Sequence, residues 1–260
     1  MIHQLTNIHP NAQIGANTTV DAFTSIEEDV VIGEGCWIGS NVTIMNGARI
    51  GNNVKIFPGA VISAVPQDLK YKGEKTVAII GDNTIIREFV TINKGTVAAM
   101  KSEVGKNCLL MAYVHIAHDC IVGNNCILAN CATLAGHITI DDFAIIGGMS
   151  AVHQFVNIGS HVMISGGSLI RKDVPPYVKA AREPLSYVGI NTIGLKRRGF
   201  SDESITVIQS IYRILFQKNK NVGRGVQEIL DTIPECPERE LVLAFIAKSE
   251  RGIMKGYESK

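Results

Sequence analysis

The sequence predicts an all-β solenoid, a parallel β-helix of short stacked strands, followed by a small C-terminal α-helical domain. Three observations predict it. An aliphatic residue recurs every six positions: from Ile8 to Ile170, 25 of the 28 places in that series are Ile, Leu or Val. The next residue is often glycine, as at 15, 33, 51, 81, 105, 123, 147 and 159, and the fourth after the aliphatic one is usually small or β-branched, as at Thr18, Cys36, Ala60, Cys108 and Ala144. Beyond Ile170 the period of six stops and helical spacing begins.

No helix produces the first pattern, because six residues turn an α-helix by roughly 600° and carry the stripe around every face. Short strands joined by tight turns produce it when the coil has three flat sides, each with its large and small residue pointing inward. Only Asp68, Glu74 and Ala98 interrupt the series. They fall in polar stretches, near 63–79 and 93–103, that read as excursions from the prism, the first marked by Pro66 and Gly73. The solenoid domain is thus expected over 1–190, with residues 171–200 as a Pro- and Gly-punctuated connection, and the helical domain over 191–260. Ser201-Asp202-Glu203 has the chemistry of a helix start, followed by Ile205, Ile208, Ile211, Tyr212, Leu215 and Phe216 on one face. Two more helices are expected, from Gly223 to Ile233 and from Pro237 to about Lys255.

With 46% hydrophobic and 19% charged residues the 260-residue chain has the material for a packed core. A net charge of +1 argues against a nucleic-acid partner. No apolar run reaches the roughly 18 residues of a membrane span and the start lacks the pattern of a signal peptide, so a cytoplasmic protein without membrane insertion is expected. Six cysteines without a CxxC pair should remain thiols. The charge is uneven: residues 1–170 carry 9 basic against 13 acidic side chains, and residues 171–260 carry 16 against 11.

The six-residue repeat resembles that of the hexapeptide-repeat acyltransferases. The resemblance implies a left-handed coil of 18 residues, hence about nine to ten coils; the hand comes from the resemblance alone, since crossovers between parallel strands are usually right-handed. In an 18-residue coil His118, Gly136 and Gln154 share a column, flanked by Asp119 with His137 on one side and His153 on the other. Three of the seven histidines then meet at one corner of successive coils, at outward positions that core packing does not explain. Surface histidines coinciding by chance are the bland explanation. The functional one is general-base chemistry: an imidazole largely neutral near pH 7, a carboxylate to orient it, and a glycine whose bare N–H can face an oxyanion. Zinc binding by His115, His118 and Asp119 competes, but residues three apart on a strand point to opposite faces, and no metal is expected.

Longer strings narrow the resemblance. QDLKY (67–71), HIAHDC (115–120), ATLAGH (132–137), IIGGMSAVHQF (145–155), DVPPYV (173–178) and NTIGLKRRGF (191–200) are similar to those of the UDP-N-acetylglucosamine O-acyltransferases, over nearly the whole chain. The resemblance implies transfer of a 3-hydroxyacyl chain from an acyl carrier protein thioester to the 3-hydroxyl of UDP-N-acetylglucosamine, the first step of lipid A biosynthesis. It needs no cofactor beyond that phosphopantetheine thioester and no covalent intermediate. His118 is then the base, Asp119 its orienting carboxylate and Gly136 the oxyanion donor. Asp68, Lys70, His115, His137, His153 and Gln154 line the nucleotide-sugar cleft, Asn191, Arg197 and Arg198 hold nucleotide and phosphates, and Gly166 sets acyl length. Ile193 and Tyr113 depart from the glutamate and asparagine of some members. A homotrimer is implied, and the basic tail suits an acidic carrier protein. An N-acyltransferase of the same pathway, an acetyl-CoA-dependent O-acetyltransferase and an ice-binding or scaffold solenoid are the alternatives. The first usually carries an extra N-terminal domain, for which a repeat starting by Ile8 leaves no room. The second fits poorly with the helical tail and the QDLKY loop, and the last with the irregular outward residues.

Overall fold

In the computed structural model, which describes residues 1–219 and 221–256, the chain winds into a three-sided prism of strands mostly two residues long. Its faces are sheets of nine, eight and eleven strands. Every pairing within the coils is parallel, and residues pair with those one coil on: His115 with Thr133, Ile121 with Thr139, Ile127 with Ile145. The aliphatic residue of each hexapeptide points inward. Ile92, Ile116, Leu134, Val152 and Ile170 form one such stack on the nine-stranded face, all buried. Each buried side chain of this size contributes about 2–3 kcal/mol of transfer free energy. The small slots of the repeat hold Cys36, Cys108, Cys120 and Cys126, free thiols buried in that core.

The two excursions keep this phase because of their lengths. Coil-to-coil contacts normally join residues 18 apart, as Lys106 and Asn124. Across the first excursion the separation is 30, between Asn52 and Asp82, and across the second it is 24, between Asn83 and Asn107. The insertions are therefore two hexapeptides and one, and the three non-aliphatic markers, Asp68, Glu74 and Ala98, belong to them. Both leave the nine-stranded face, after Val61–Ala64 and Thr91–Asn93, and both return to the eight-stranded face at Val77–Ile80 and Lys101–Val104. They protrude from one and the same corner.

Most corners hold a residue with a left-handed backbone. Asn41, Asn53, Asn83, Asn107 and Asn125 fill many of them (φ 55–59°), the side chain best able to tolerate that region after glycine.

The stretch 171–200, expected as an irregular connection, is more ordered than that. Val178–Ala181 extends the eleven-stranded face and pairs antiparallel with Ser186–Ile190, and a short helix α1 covers Thr192–Arg197. Asn191 caps α1 by accepting from the Gly194 N–H (3.2 Å). Helix α2, Asp202–Arg213, starts where the sequence indicated, with Ser201 Oγ accepting from the Ser204 N–H (3.1 Å) and Ile205, Ile208, Ile211 and Tyr212 buried; a π-helical turn, Ile214–Lys218, extends it. The buried Tyr212 hydroxyl donates to Pro176 O, which ties α2 to the prism. Helix α3 is Val222–Thr232 and α4 is Pro237–Lys248. The last helix ends seven residues before the expected Lys255: Gly252 turns left-handed (φ 71°), and Lys255–Gly256 joins the sheet beside Ser186–Ile190.

Ile116→Ala should cost about 2–5 kcal/mol, because its neighbours above and below are held by the ladder and cannot collapse into the cavity. Chemical denaturation measures this; a loss below about 1 kcal/mol would contradict a stack this tightly packed.

Candidate active site

The predicted column forms at the corner between the nine- and eight-stranded faces, the corner from which both excursions emerge. His118 and Asp119 follow the strand His115–Ile116, Gly136 and His137 follow Thr133–Leu134 one coil up, and His153 and Gln154 follow Ala151–Val152 above that. Asp119 and His137 occupy the left-handed positions of their corners (φ 59° and 62°). Holding non-glycine residues there stores about 1–2 kcal/mol each.

The Asp119 side chain is completely buried. Its Oδ2 accepts from His118 Nδ1 (2.8 Å) and Thr96 Oγ1 (2.6 Å), and its Oδ1 accepts from the backbone N–H of Thr96 (2.8 Å) and Ala99 (3.2 Å). Burial alone pushes this carboxyl upward, but the donors on Thr96 and His118, with the nearby His137, more than offset it and hold Asp119 below the usual carboxylate range. An ionised carboxylate only accepts, so His118 Nδ1 carries its proton and Nε2 presents a lone pair.

The imidazole ring packs directly against Gly136. A Cβ built on Gly136 would lie 2.6 Å from His118 Cε1 and 2.8 Å from Nε2. The glycine is required there to make room for the imidazole, a role its expected part as an N–H donor does not include. Among the described residues the Gly136 N–H has no hydrogen-bond acceptor. His137 meets the His118 ring edge-on (5.1 Å), stacks on Phe155 (4.5 Å), and brings Nε2 to 3.8 Å from Asp119 Oδ2. His118, Asp119 and His137 offer ligand-type atoms within 4.8 Å of one another. Four donors already occupy the Asp119 lone pairs, so a cation would have to displace them.

His115 lies beside this corner on the nine-stranded face, its Nδ1 2.7 Å from Thr91 Oγ1, and burial lowers its pKa. His153 and Gln154 are exposed, with His153 Nδ1 3.1 Å from the Gln154 carbonyl. Asp68 and Lys70 belong to the first excursion, where Asp68 Oδ1 accepts from the Lys70 N–H (2.9 Å); among the described residues no hydrogen bond joins them to His118.

The remaining predicted residues are elsewhere on the prism. Gly166 turns the corner between the eleven- and nine-stranded faces, exposed, its absent Cβ 3.0 Å from Gly148 O. Asn191, Arg197 and Arg198 gather at the third corner. Asn191, buried, spends both ends of its amide on structure, capping α1 and donating to His161 O (2.9 Å). Arg198 donates to Phe143 O (3.1 Å) and lies over the Phe143 ring, with Nη1 buried and without a hydrogen-bond partner among the described residues, while Arg197 is exposed. Ile193 is exposed on α1, and Tyr113 is an exposed ring stacked on Phe89 (5.2 Å). What sequence reasoning missed is Thr96, which with Ala99 in the second excursion supplies three of the four Asp119 donors.

A His–Asp pair on the corner of an 18-residue coil defines the class, a hexapeptide-repeat acyltransferase. The model for "Udp N-acetylglucosamine O-acyltransferase; Domain 2" matches residues 173–254, and the bacterial transferase hexapeptide model matches 29–64 and 101–136. Among solved structures, LpxA, a UDP-N-acetylglucosamine acyltransferase from Bacteroides fragilis, is 50% identical with a TM-score of 0.97, covering 98% of this chain and 100% of that one. LpxA from Acinetobacter baumannii is 41% identical (TM-score 0.94; 98% and 99% covered), and the Francisella novicida UDP-N-acetylglucosamine acyltransferase is 40% identical (0.95; 98% and 94%). The chain belongs to the UDP-N-acetylglucosamine O-acyltransferase family. It is an acyltransferase, and its coil is left-handed, as the resemblance implied.

Gly136→Ala should leave the thermal midpoint near wild type, because the imidazole can swing aside, and should lower acyl transfer by about 100-fold, because that swing moves Nε2 by roughly an ångström. A variant with both unchanged would show that the close approach of ring and glycine is immaterial. At the third corner, burial and then the Arg198 charge lower His161 to about 4 from 6.5. The unfolded chain therefore takes up a proton below about 6.5 that the folded chain refuses. This contribution is complete above that pH and falls away toward 4, by on the order of 1–2 kcal/mol after screening for partial exposure. His161→Phe, continuing the Phe143 column, should flatten the acid loss of stability between pH 7 and 5; an unchanged slope in denaturant titrations would assign that loss to other groups.

Proposed function

We propose that this protein transfers a 3-hydroxyacyl chain from an acyl carrier protein thioester to the 3-hydroxyl of UDP-N-acetylglucosamine, with His118 as general base. The observation that carries this reading is the His118–Asp119 contact: the buried, ionised carboxylate accepts the Nδ1–H hydrogen bond (2.8 Å) and so leaves Nε2 unprotonated at an outward corner. Nε2 removes the proton of the sugar hydroxyl as its oxygen attacks the thioester carbon. The C–O bond forms, the C–S bond breaks, and the imidazolium returns the proton to the departing thiolate. No acyl-enzyme is formed, and the thioester itself supplies the activated acyl group, so the reaction requires no cofactor. The Gly136 N–H, without an acceptor of its own, is suitably placed for the oxyanion.

A homotrimer is the natural partner of this reading. The corner with His118, the corner with Gly166 and the corner with Arg197 and Arg198 lie on three different edges of one prism, so one chain cannot enclose a substrate with all of them. Prisms packed side by side bring different edges together, and each cleft then takes its base from one chain and its basic residues from the next. Within the tail Lys196–Asp202 and Lys218–Glu228 are surface ion pairs, while Arg197, Arg213 and Arg224 are exposed and suit an acidic carrier protein. Among the described residues no helix is long and apolar enough to cross a membrane. A carrier-protein donor and a nucleotide-sugar acceptor suit a cytoplasmic reaction.

The test is direct. The purified protein is offered UDP-N-acetylglucosamine with a ladder of acyl carrier protein donors, and products are read by mass spectrometry; a 3-O-acylated sugar nucleotide is expected. His118→Ala should cut the rate by about 10²–10⁴-fold with the assembly intact. Full activity in that variant rules out His118 as the base, and acylation of an amino-sugar acceptor alone would replace the hydroxyl by an amine.

A further inference from the structure

We infer that Thr96, in the one-hexapeptide excursion between Thr91–Asn93 and Lys101–Val104, is a positioning residue that sets the catalytic geometry of His118 through Asp119. The inference rests on His118 being the base.

Asp119 is one residue from His118 and occupies a strained corner, so its own backbone leaves the carboxylate poorly determined. What fixes the carboxylate is the excursion. Thr96, itself buried, donates from both its N–H and its hydroxyl, one to each carboxylate oxygen, a two-point grip that prevents rotation about the last side-chain bond. The Ala99 N–H adds a third donor. The hydroxyl is itself oriented, because its lone pair accepts from the Ala98 N–H (3.2 Å), which directs its proton toward Asp119. The turn is rigid: the Met100 N–H donates to Thr96 O (2.8 Å), and a Cβ on Gly95 would lie 2.3 Å from Lys101 N, so the chain passes itself too closely there for any other residue. It is also anchored to the adjacent coil, since the Gly95 N–H donates to Val77 O and Gly95 O accepts from the Thr76 hydroxyl. Thr76 is the last residue of the first excursion, so the two insertions brace one another before either reaches Asp119.

With Thr96 in place, only one direction on Asp119 Oδ2 remains open for a strong donor, and His118 Nδ1–H occupies it. Without the hydroxyl, the carboxylate can pivot on Oδ1 and the imidazole follows. Thr96 touches no reacting atom; it acts on the base through the carboxylate.

The experiment compares Thr96→Val, which keeps shape and N–H but loses the hydroxyl, with Thr96→Ser, which keeps the hydroxyl, and with His118→Ala, all as assembled protein. In Thr96→Val kcat should fall about 10- to 100-fold with KM for both substrates within about twofold of wild type, and Thr96→Ser should recover most of the rate. The downfield proton resonance of His118 Nδ1–H should shift or broaden in Thr96→Val and be restored in Thr96→Ser. If His118→Ala is inactive while Thr96→Val keeps wild-type kcat and an unmoved resonance, the inference is overturned and the base assignment survives. Equal losses in the Val and Ser variants, tracking a lowered thermal midpoint, would reduce Thr96 to a structural residue. If His118→Ala keeps full activity, the base reading itself fails; the resonance then still reports whether Thr96 orders the pair.

Discussion

Vertical registration of identical hexapeptides is the constraint on which the whole molecule depends. Two-residue strands have almost no stability alone. They persist because each inward aliphatic residue meets another of its kind directly above and below, and because the parallel ladder leaves few backbone groups unpaired inside the prism. Any inserted segment must respect the same phase. Both insertions do, being whole numbers of hexapeptides, which is how the fold accommodates long excursions beside the catalytic corner without losing the core above it.

That registration also explains how a repetitive fold carries a singular site. A corner residue is repeated every 18 positions, so a column can be written in the sequence one side chain at a time. The column of Asp119, His137 and Phe155 places a carboxylate, an imidazole and an aromatic platform at successive heights. The neighbouring column sets Gly136 above His118, where the absence of a side chain is what the imidazole requires. Left-handed Asp119 and His137 carry their strain where the two side chains form the site; corners elsewhere hold asparagine, glycine or aromatic residues such as Phe23, Phe89 and Phe143.

The electrostatics follow from burial. A carboxylate with no exposed surface stays ionised only if donors replace its water, and four do. Three of the four come from a segment 20 or more residues earlier, so the ionisation of Asp119, the tautomer of His118 and the conformation of the 93–103 excursion form one unit. The tail contributes differently. Its capping asparagine and the Arg198–Phe143 contact fasten α1 to the third corner and leave Arg197 at the surface of the prism edge.

The sequence by itself determined the coil. The series from Ile8 to Ile170 dictates the period and the inward residues, because each hexapeptide makes the same local contacts; with the 18-residue coil that the resemblance implied, arithmetic alone brought His118, Asp119, Gly136 and His137 together. The helix start at Ser201 was legible for the same reason, a capping side chain acting on residues three away. Tertiary structure alone decided what depends on aperiodic segments folding back: the grip of Thr96 on Asp119, the hairpin of Val178–Ala181 with Ser186–Ile190, the early end of α4 at Lys248, and the placing of His118, Gly166 and Arg197 on three separate edges. No local period encodes those contacts. They follow from which surfaces come within reach once the prism has closed.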